Sequence, residues 1–560
     1  MNRALFLPVC MIALAPPFAM AADPIQDFTA LRDEFTAKFK PLYIESATAW
    51  WEANTTGKGD AFKRKEKAEG ALVELKSDKA FFAKIKSLKE GGRITDPLMA
   101  RELDVIHRMC IPNQADPAVL KKIIAIETEV EQTFNTHRSK VDGKELTEND
   151  VRKIVGDSTE SAAVEKAWKG YMEVGAKVES RLKTLVGLRN EVARSLGHKN
   201  YYVMRLALDE IGEDQLLALF DELDTLTRGP FAEIKKEIDA GRAVRFGVKS
   251  SELRPWHYGD LFFQETPAGA GGGVNLDDIY KDQDLLALAR DYYGGLGMEI
   301  DDIIARSDLY EKPGKSPHAF STNLNRGDDV RVLCNMKTNL FWADTSLHEL
   351  GHAVYDKYIN NDVPFLLHEP AHSLLTEGYA MMMGAMAKNE DYLGKALKMP
   401  ADKAAEAAKA ARKHLRSEKL IFSRWAQVMV RFEYGMYSNP DQDLGKLWWS
   451  LKQKYQMLNP PDDTSRPDYG AKIHVVLNPA YYHSYMMGDL FACQLQARMA
   501  KTVMGGMDPT KTCFWNTKKA GDYLRKNVFG PGNLYHWNVL IKQATGENLT
   551  AKYFAAQYVE

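Results

Sequence analysis

Two histidines four residues apart, with a glutamate beside the first, constrain this chain more than any other feature: His348-Glu349-Leu350-Gly351-His352. They lie in the run NLFWADTSLHELGHAVYDKY, where Leu347, Leu350, Val354 and Tyr355 return at three- and four-residue steps and proline is absent. The periodicity predicts a helix, and on a helix positions i and i+4 share a face. Both imidazoles can then reach one metal ion, with Glu349 placed to hold a water as general base. Gly351, just before the second histidine, leaves room for another element to pack closely.

A third ligand is expected at Glu377, in the apolar run HSLLTEGYAMMMGAMAKN. Leu374, Leu375, Met381 and Met382 give this stretch helical bulk, and a lone carboxylate among them would be costly to bury unpaired. Coordination to a metal would explain it. Two histidines and one glutamate leave a fourth position open for water, the catalytic form of a zinc site. His368, Glu369 and His372 are rival ligands. They rank lower because they surround Pro370 and read as the loop between two helices.

The rest of the chain reads as mostly helical. Residues 24 to 110 alternate lysines and acids with apolar positions, the pattern of amphipathic helices with solvated faces. Residues 158 to 243, 340 to 388, 401 to 455 and 484 to 501 continue in the same vein. The clearest β signal lies in residues 318 to 336, where HAFSTNL and VRVLCNM flank the turn-rich NRGDD. A strand edge there, beside the metal helix, could accept an extended peptide through backbone hydrogen bonds. Residues 264 to 275 form a glycine-rich loop without the Lys-Ser/Thr of a phosphate-binding loop.

A net charge of −2 over 560 residues implies neither a nucleic-acid partner nor an anionic membrane surface. Residues 1 to 21 read as a secretory signal: Arg3, the apolar stretch from Ala4 to Leu14, and Ala19-Met20-Ala21 before the cut. An exported protein, periplasmic or secreted, is expected, with no later segment long and apolar enough to span a bilayer. Cys110, Cys334, Cys493 and Cys513 remain, with Cys493 and Cys513 the easiest local pair to join in an oxidising compartment.

HELGH with Glu377 downstream resembles the angiotensin-converting enzyme family, the M2 peptidyl-dipeptidases. Other segments agree across most of the chain: SATAWWEANTTG at residues 46 to 57, RNEVARSLGHKNYYVMRL, HYGDLFFQ, SPHAF, and KIHVVLNPAYYHSYMMGDLF. The chain is identified as a bacterial-type member. The resemblance implies a two-lobed helical fold around a deep central cleft, with a small β-hairpin beside the HExxH helix. It implies a single domain over residues 22 to 560, with residues 22 to 130 as a helical lid and 318 to 490 as the active-site core.

The resemblance also assigns roles. One zinc ion per chain would be held by His348, His352 and Glu377, with Glu349 as the base. Tyr485 would stabilise the oxyanion, and His474 would contact substrate or oxyanion. His318 and Ala319 would meet the substrate backbone. Gln264, Lys472 and Tyr482 would clamp the terminal carboxylate, a charged acceptor suited to a cation and two neutral donors. Tyr481 is a neighbour that could displace Tyr482 in the register. Glutamine at 264, where a branch releasing single residues has arginine, points to release of dipeptides from oligopeptides.

Two departures stand out. Ser484, preceded by His483, replaces the family's chloride-linked arginine, which speaks against chloride activation through that position. Met381 replaces the acid one turn after the third ligand, leaving Asp356 and Asp344 as candidate supports for the zinc histidines. The alternatives are a thimet-type oligopeptidase, a zinc carboxypeptidase, or a peptide-binding protein without turnover.

Overall fold

The computed structural model describes residues 23–267 and 277–559; the signal segment and most of the glycine-rich loop lie outside the described residues. Within them the chain is mostly α-helical, with two small antiparallel sheets.

Four helices open the chain: Pro24–Thr56, Gly59–Lys76, Lys79–Gly91 and Pro97–Cys110. Their starts are written locally. Asp23, Asp78 and Asp96 each accept a backbone N–H in the first turn, and proline stands just inside two of these helices. Together they bury a core of their own from Phe28, Phe35, Phe39, Ile85, Leu103 and Ile106, which meets the rest of the molecule at Leu366. The next helix, Pro117–Thr136, instead packs on Ser161–Ser195 and shares the main core.

Two arginines help join this N-terminal layer to the body. The Arg326 guanidinium lies 4.7 Å from the Tyr43 ring centre and 5.7 Å from that of Phe39, and pairs with Glu369 at 2.6 Å. Arg101 pairs with Glu210 and donates to the Asn533 carbonyl at 2.9 Å.

The body centres on three helices: Leu340–Lys357, Ser373–Ala385 and His483–Thr502. They approach closely because glycines face the contacts. A Cβ at Gly378 would come within 2.6 Å of the Gly488 carbonyl oxygen, and one at Gly351 within 3.3 Å of the Ala380 Cα. The room expected at Gly351 is therefore filled by the Glu377-bearing helix.

Strands Phe320–Asn323 and Val330–Leu333 pair antiparallel, Phe320 opposite Leu333 and Asn323 opposite Val330, and pack on Leu340–Lys357. Trp50 and Trp51 of the first helix cover Phe320. A second hairpin, Ser139–Val141 with Lys144–Leu146, turns through Asp142 and Gly143, both at positive φ. Cys110, Cys334, Cys493 and Cys513 are buried free thiols, so the local Cys493–Cys513 pairing is not formed. No described helix is long and apolar enough to cross a membrane.

Candidate metal and peptide site

Helix Leu340–Lys357 begins at Asn339, whose side chain accepts from Trp342 N. Its two histidines lie one turn apart, with Nε2 atoms 3.1 Å from each other. Glu377 comes from the adjoining helix, its Oε2 3.8 Å from His348 Nε2 and 3.9 Å from His352 Nε2. Ligands bound tetrahedrally to zinc sit roughly 3.3 Å apart, so the three atoms nearly span one coordination sphere.

The ligands' outer contacts aim them inward. His352 Nδ1 is 2.7 Å from Thr376 Oγ1, and the His348 ring is hydrogen-bonded to the Ala380 carbonyl. Donating Nδ1–H to Thr376 leaves His352 Nε2 with its lone pair turned toward His348 and Glu377. Burial, then His348, pushes His352 down to about 3, and burial likewise lowers His348. Two imidazole nitrogens and a carboxylate oxygen thus converge on one point. A divalent cation answers that arrangement, so the donor set fits zinc.

Asp344 lies one turn before His348, acts on it electrostatically and pairs with Lys388 at 2.6 Å. Asp356 does not support a zinc histidine. It is half-buried, near Glu369 and Arg326. The rival ligands are also engaged elsewhere: Glu369 pairs with Arg326, His372 caps its helix by accepting from Leu374 N at 3.0 Å, and His368 lies near Arg326.

Glu349 is buried, and burial followed by the nearby Glu377 pushes its carboxyl up to about 8. The backbone N–H of Ser321, on strand Phe320–Asn323, donates to it and acts in the opposite sense. The base is therefore tied to that strand, at whose start stand the exposed His318 and the half-buried Ala319.

The remaining predicted residues gather in a second cluster. Lys472 Nζ donates to Gln264 Oε1 at 2.8 Å, and Tyr482 Oη approaches the same oxygen at 3.5 Å. The His474 and Tyr482 rings are 5.3 Å apart, and Tyr482 and Tyr485 are 5.4 Å apart. Tyr482 caps helix His483–Thr502 and Tyr485 lies in its first turn. Tyr481 packs on Tyr485 at 5.2 Å, and it is Tyr482 whose hydroxyl approaches Gln264. Burial raises Tyr485, with Glu377 adding to it, which puts this phenol within electrostatic reach of the metal ligands. Burial, then Lys472, holds His474 down to about 4, so it is neutral near pH 7.

Residues 26–227 and 276–559 match the family described as Peptidase M2, angiotensin-converting enzyme. The chain belongs to the angiotensin-converting enzyme family. That family is one of zinc metallopeptidases. The angiotensin-converting enzyme of Bos taurus is 22% identical over 567 residues, covering 92% of this chain and 42% of its own length. Those of Mesocricetus auratus and Sus scrofa are 21% and 20% identical, covering 93% and 88% of this chain and 41% and 39% of their own lengths. The chain spans about two-fifths of the length of these relatives. Gln264 falls between the two matched segments, so its place beside Lys472 rests on geometry.

The sequence reading missed Thr376, the Ala380 carbonyl and the Ser321 N–H. Only Thr376, adjacent to Glu377, left a trace in the sequence. The other two are backbone groups, available from any residue at those positions.

Proposed function

We propose that this chain is a zinc-dependent peptidyl-dipeptidase that releases dipeptides from the free C-termini of oligopeptides. The observation that carries this reading is the convergence of Lys472 and Tyr482 on one point at Gln264 Oε1, beside the Tyr482–Tyr485 pair that leads back to Glu377. A cation and a neutral donor aimed at one acceptor suit a carboxylate.

Zinc held by His348, His352 and Glu377 would supply a Lewis acid and a water of lowered pKa. The chain's own residues do the rest. Glu349 takes a proton from the attacking water at its carboxylate and returns it to the leaving amine. Tyr485 donates its phenolic hydrogen to the developing oxyanion. His474, neutral, offers a second donor or a substrate contact. His318 and Ala319 align the peptide backbone along the strand edge. Gln264, Lys472 and Tyr482 hold the terminal carboxylate two residues beyond the cut bond. The N-terminal helices, the first of them packed over Phe320, act as a lid that admits short peptides and excludes folded proteins. Export to the periplasm or medium, directed by residues 1 to 21, would place the enzyme among such peptides.

Metal analysis with a base variant tests this. Purified protein should hold about one zinc per chain. Chelation should abolish hydrolysis, and Glu349→Gln should keep the metal while losing most turnover. Full activity in metal-free protein or in Glu349→Gln would refute the mechanism.

A further inference from the structure

Trp425 is fully buried on helix Ala401–Ser438, behind the carboxylate clamp. Its Nε1 lies 2.7 Å from Tyr482 Oη. An indole nitrogen can only donate. Tyr482 must therefore accept from it, and the phenol's single hydrogen is turned away, toward Gln264 Oε1, the oxygen that also accepts from Lys472. The indole plane is locked from several sides. The Phe262 ring centre is 5.6 Å away, Trp448 is 5.8 Å away edge-on, and Tyr482 itself stands at 89° to it. Lys452 Nζ lies 4.9 Å and Lys472 Nζ 5.5 Å from the indole centre, and Lys452 donates to the Phe262 carbonyl at 2.8 Å. Neither ring can turn without breaking these contacts.

We propose that Trp425 is a positioning residue: its N–H fixes Tyr482 as an obligate donor to the cleft, and so sets the preference for a terminal carboxylate over a terminal amide. This rests on the clamp reading above. A carboxylate presents only acceptors, whereas an amide presents an NH₂ as well. A phenol free to rotate could accept from that NH₂. With the indole holding its favoured acceptor side, Tyr482 turns its hydrogen to the cleft, and the amide NH₂ meets donor against donor.

The test uses the zinc-loaded enzyme and an N-blocked tripeptide, as free acid and as amide. Wild-type protein should prefer the acid. Trp425→Phe keeps a ring but removes the N–H; it should raise KM for the acid roughly tenfold, leave kcat within a few-fold, and shrink the acid-to-amide preference by a similar factor. Adding Trp425→Phe to Tyr482→Phe should cost little more, because Trp425 acts only through the Tyr482 hydroxyl. Should Trp425→Phe fail to fold, benzothienylalanine at position 425 keeps the indole's shape with sulfur for N–H, and the same loss of preference is expected. An unchanged KM and preference in a folded variant, or fully additive effects of the two substitutions, would overturn the proposal. If wild-type enzyme shows no preference for the acid, the clamp reading fails and this inference with it. If wild-type prefers the acid and the position-425 variant prefers it by the same factor, this inference fails alone.

Discussion

His352 Nδ1 stands 2.7 Å from Thr376 Oγ1, one residue before Glu377, so the residue next to one candidate ligand also orients another. This contact fills part of the gap left by Met381, where an acid was expected to brace the histidines. It joins the two helices that carry the candidate ligands through a hydroxyl.

Removing that hydroxyl should loosen the site. Thr376→Val keeps the shape, and zinc affinity, read by competition with a chelator, should fall about 10- to 100-fold, the usual cost of losing a hydrogen bond behind a metal-binding histidine. An unchanged affinity would show that the Ala380 carbonyl and helix packing suffice.

Tyr485→Phe removes one phenolic donor and little volume. If that donor meets the oxyanion, kcat should fall a hundredfold or more, about 3 kcal/mol, with a smaller change in substrate binding. A rise in KM at constant kcat would make Tyr485 a binding residue instead.

Chloride should matter little. Ser484 is uncharged and buried, and burial pushes the adjoining His483 down to about 3, so it does not replace the missing arginine as a cation. Rates in chloride and acetate at equal ionic strength should agree within a few-fold. Saturable activation specific to chloride would reveal another basic group in the role.

Lys472 gives a pH signature with a definite sign. Burial holds its ammonium down to about 8. A carboxylate binds the charged form, so affinity for free acids should be full below about pH 8 and decline above it. The amide lacks that charge, and the ratio of acid to amide kcat/KM should therefore be flat below about 8 and fall above it. Taking the ratio cancels titrations common to both substrates, Glu349 included. Lys472→Ala should lower kcat/KM on acids roughly ten- to a hundredfold and flatten the profile. A ratio that rises with pH would contradict the assignment.

Much of this was legible from local chemistry. The HELGH spacing places its histidines by helix geometry alone, and the turn between HAFSTNL and VRVLCNM marks the hairpin. Asp142-Gly143 carried an equally good turn signal for the second hairpin, but the strands beside it are too short to show alternation. What stayed hidden depends on distant segments meeting. Arg326 at a hairpin tip reads as a surface arginine until Tyr43 and Glu369 close on it. Trp425 reads as core until Tyr482 arrives from 57 residues away. The thiols of Cys493 and Cys513 are near in sequence, yet each is buried unpaired, and proximity along the chain could not reveal that.

The most direct test of the central claim is mass spectrometry of the products formed from one oligopeptide, offered with a free and with an amidated C-terminus. The account predicts successive loss of dipeptides from the free acid, slow cleavage of the amide, and neither with Glu349→Gln. Single-residue release would make the enzyme a carboxypeptidase, internal cuts indifferent to the C-terminus an oligopeptidase, and binding without cleavage a peptide-capture protein; any of these would contradict it.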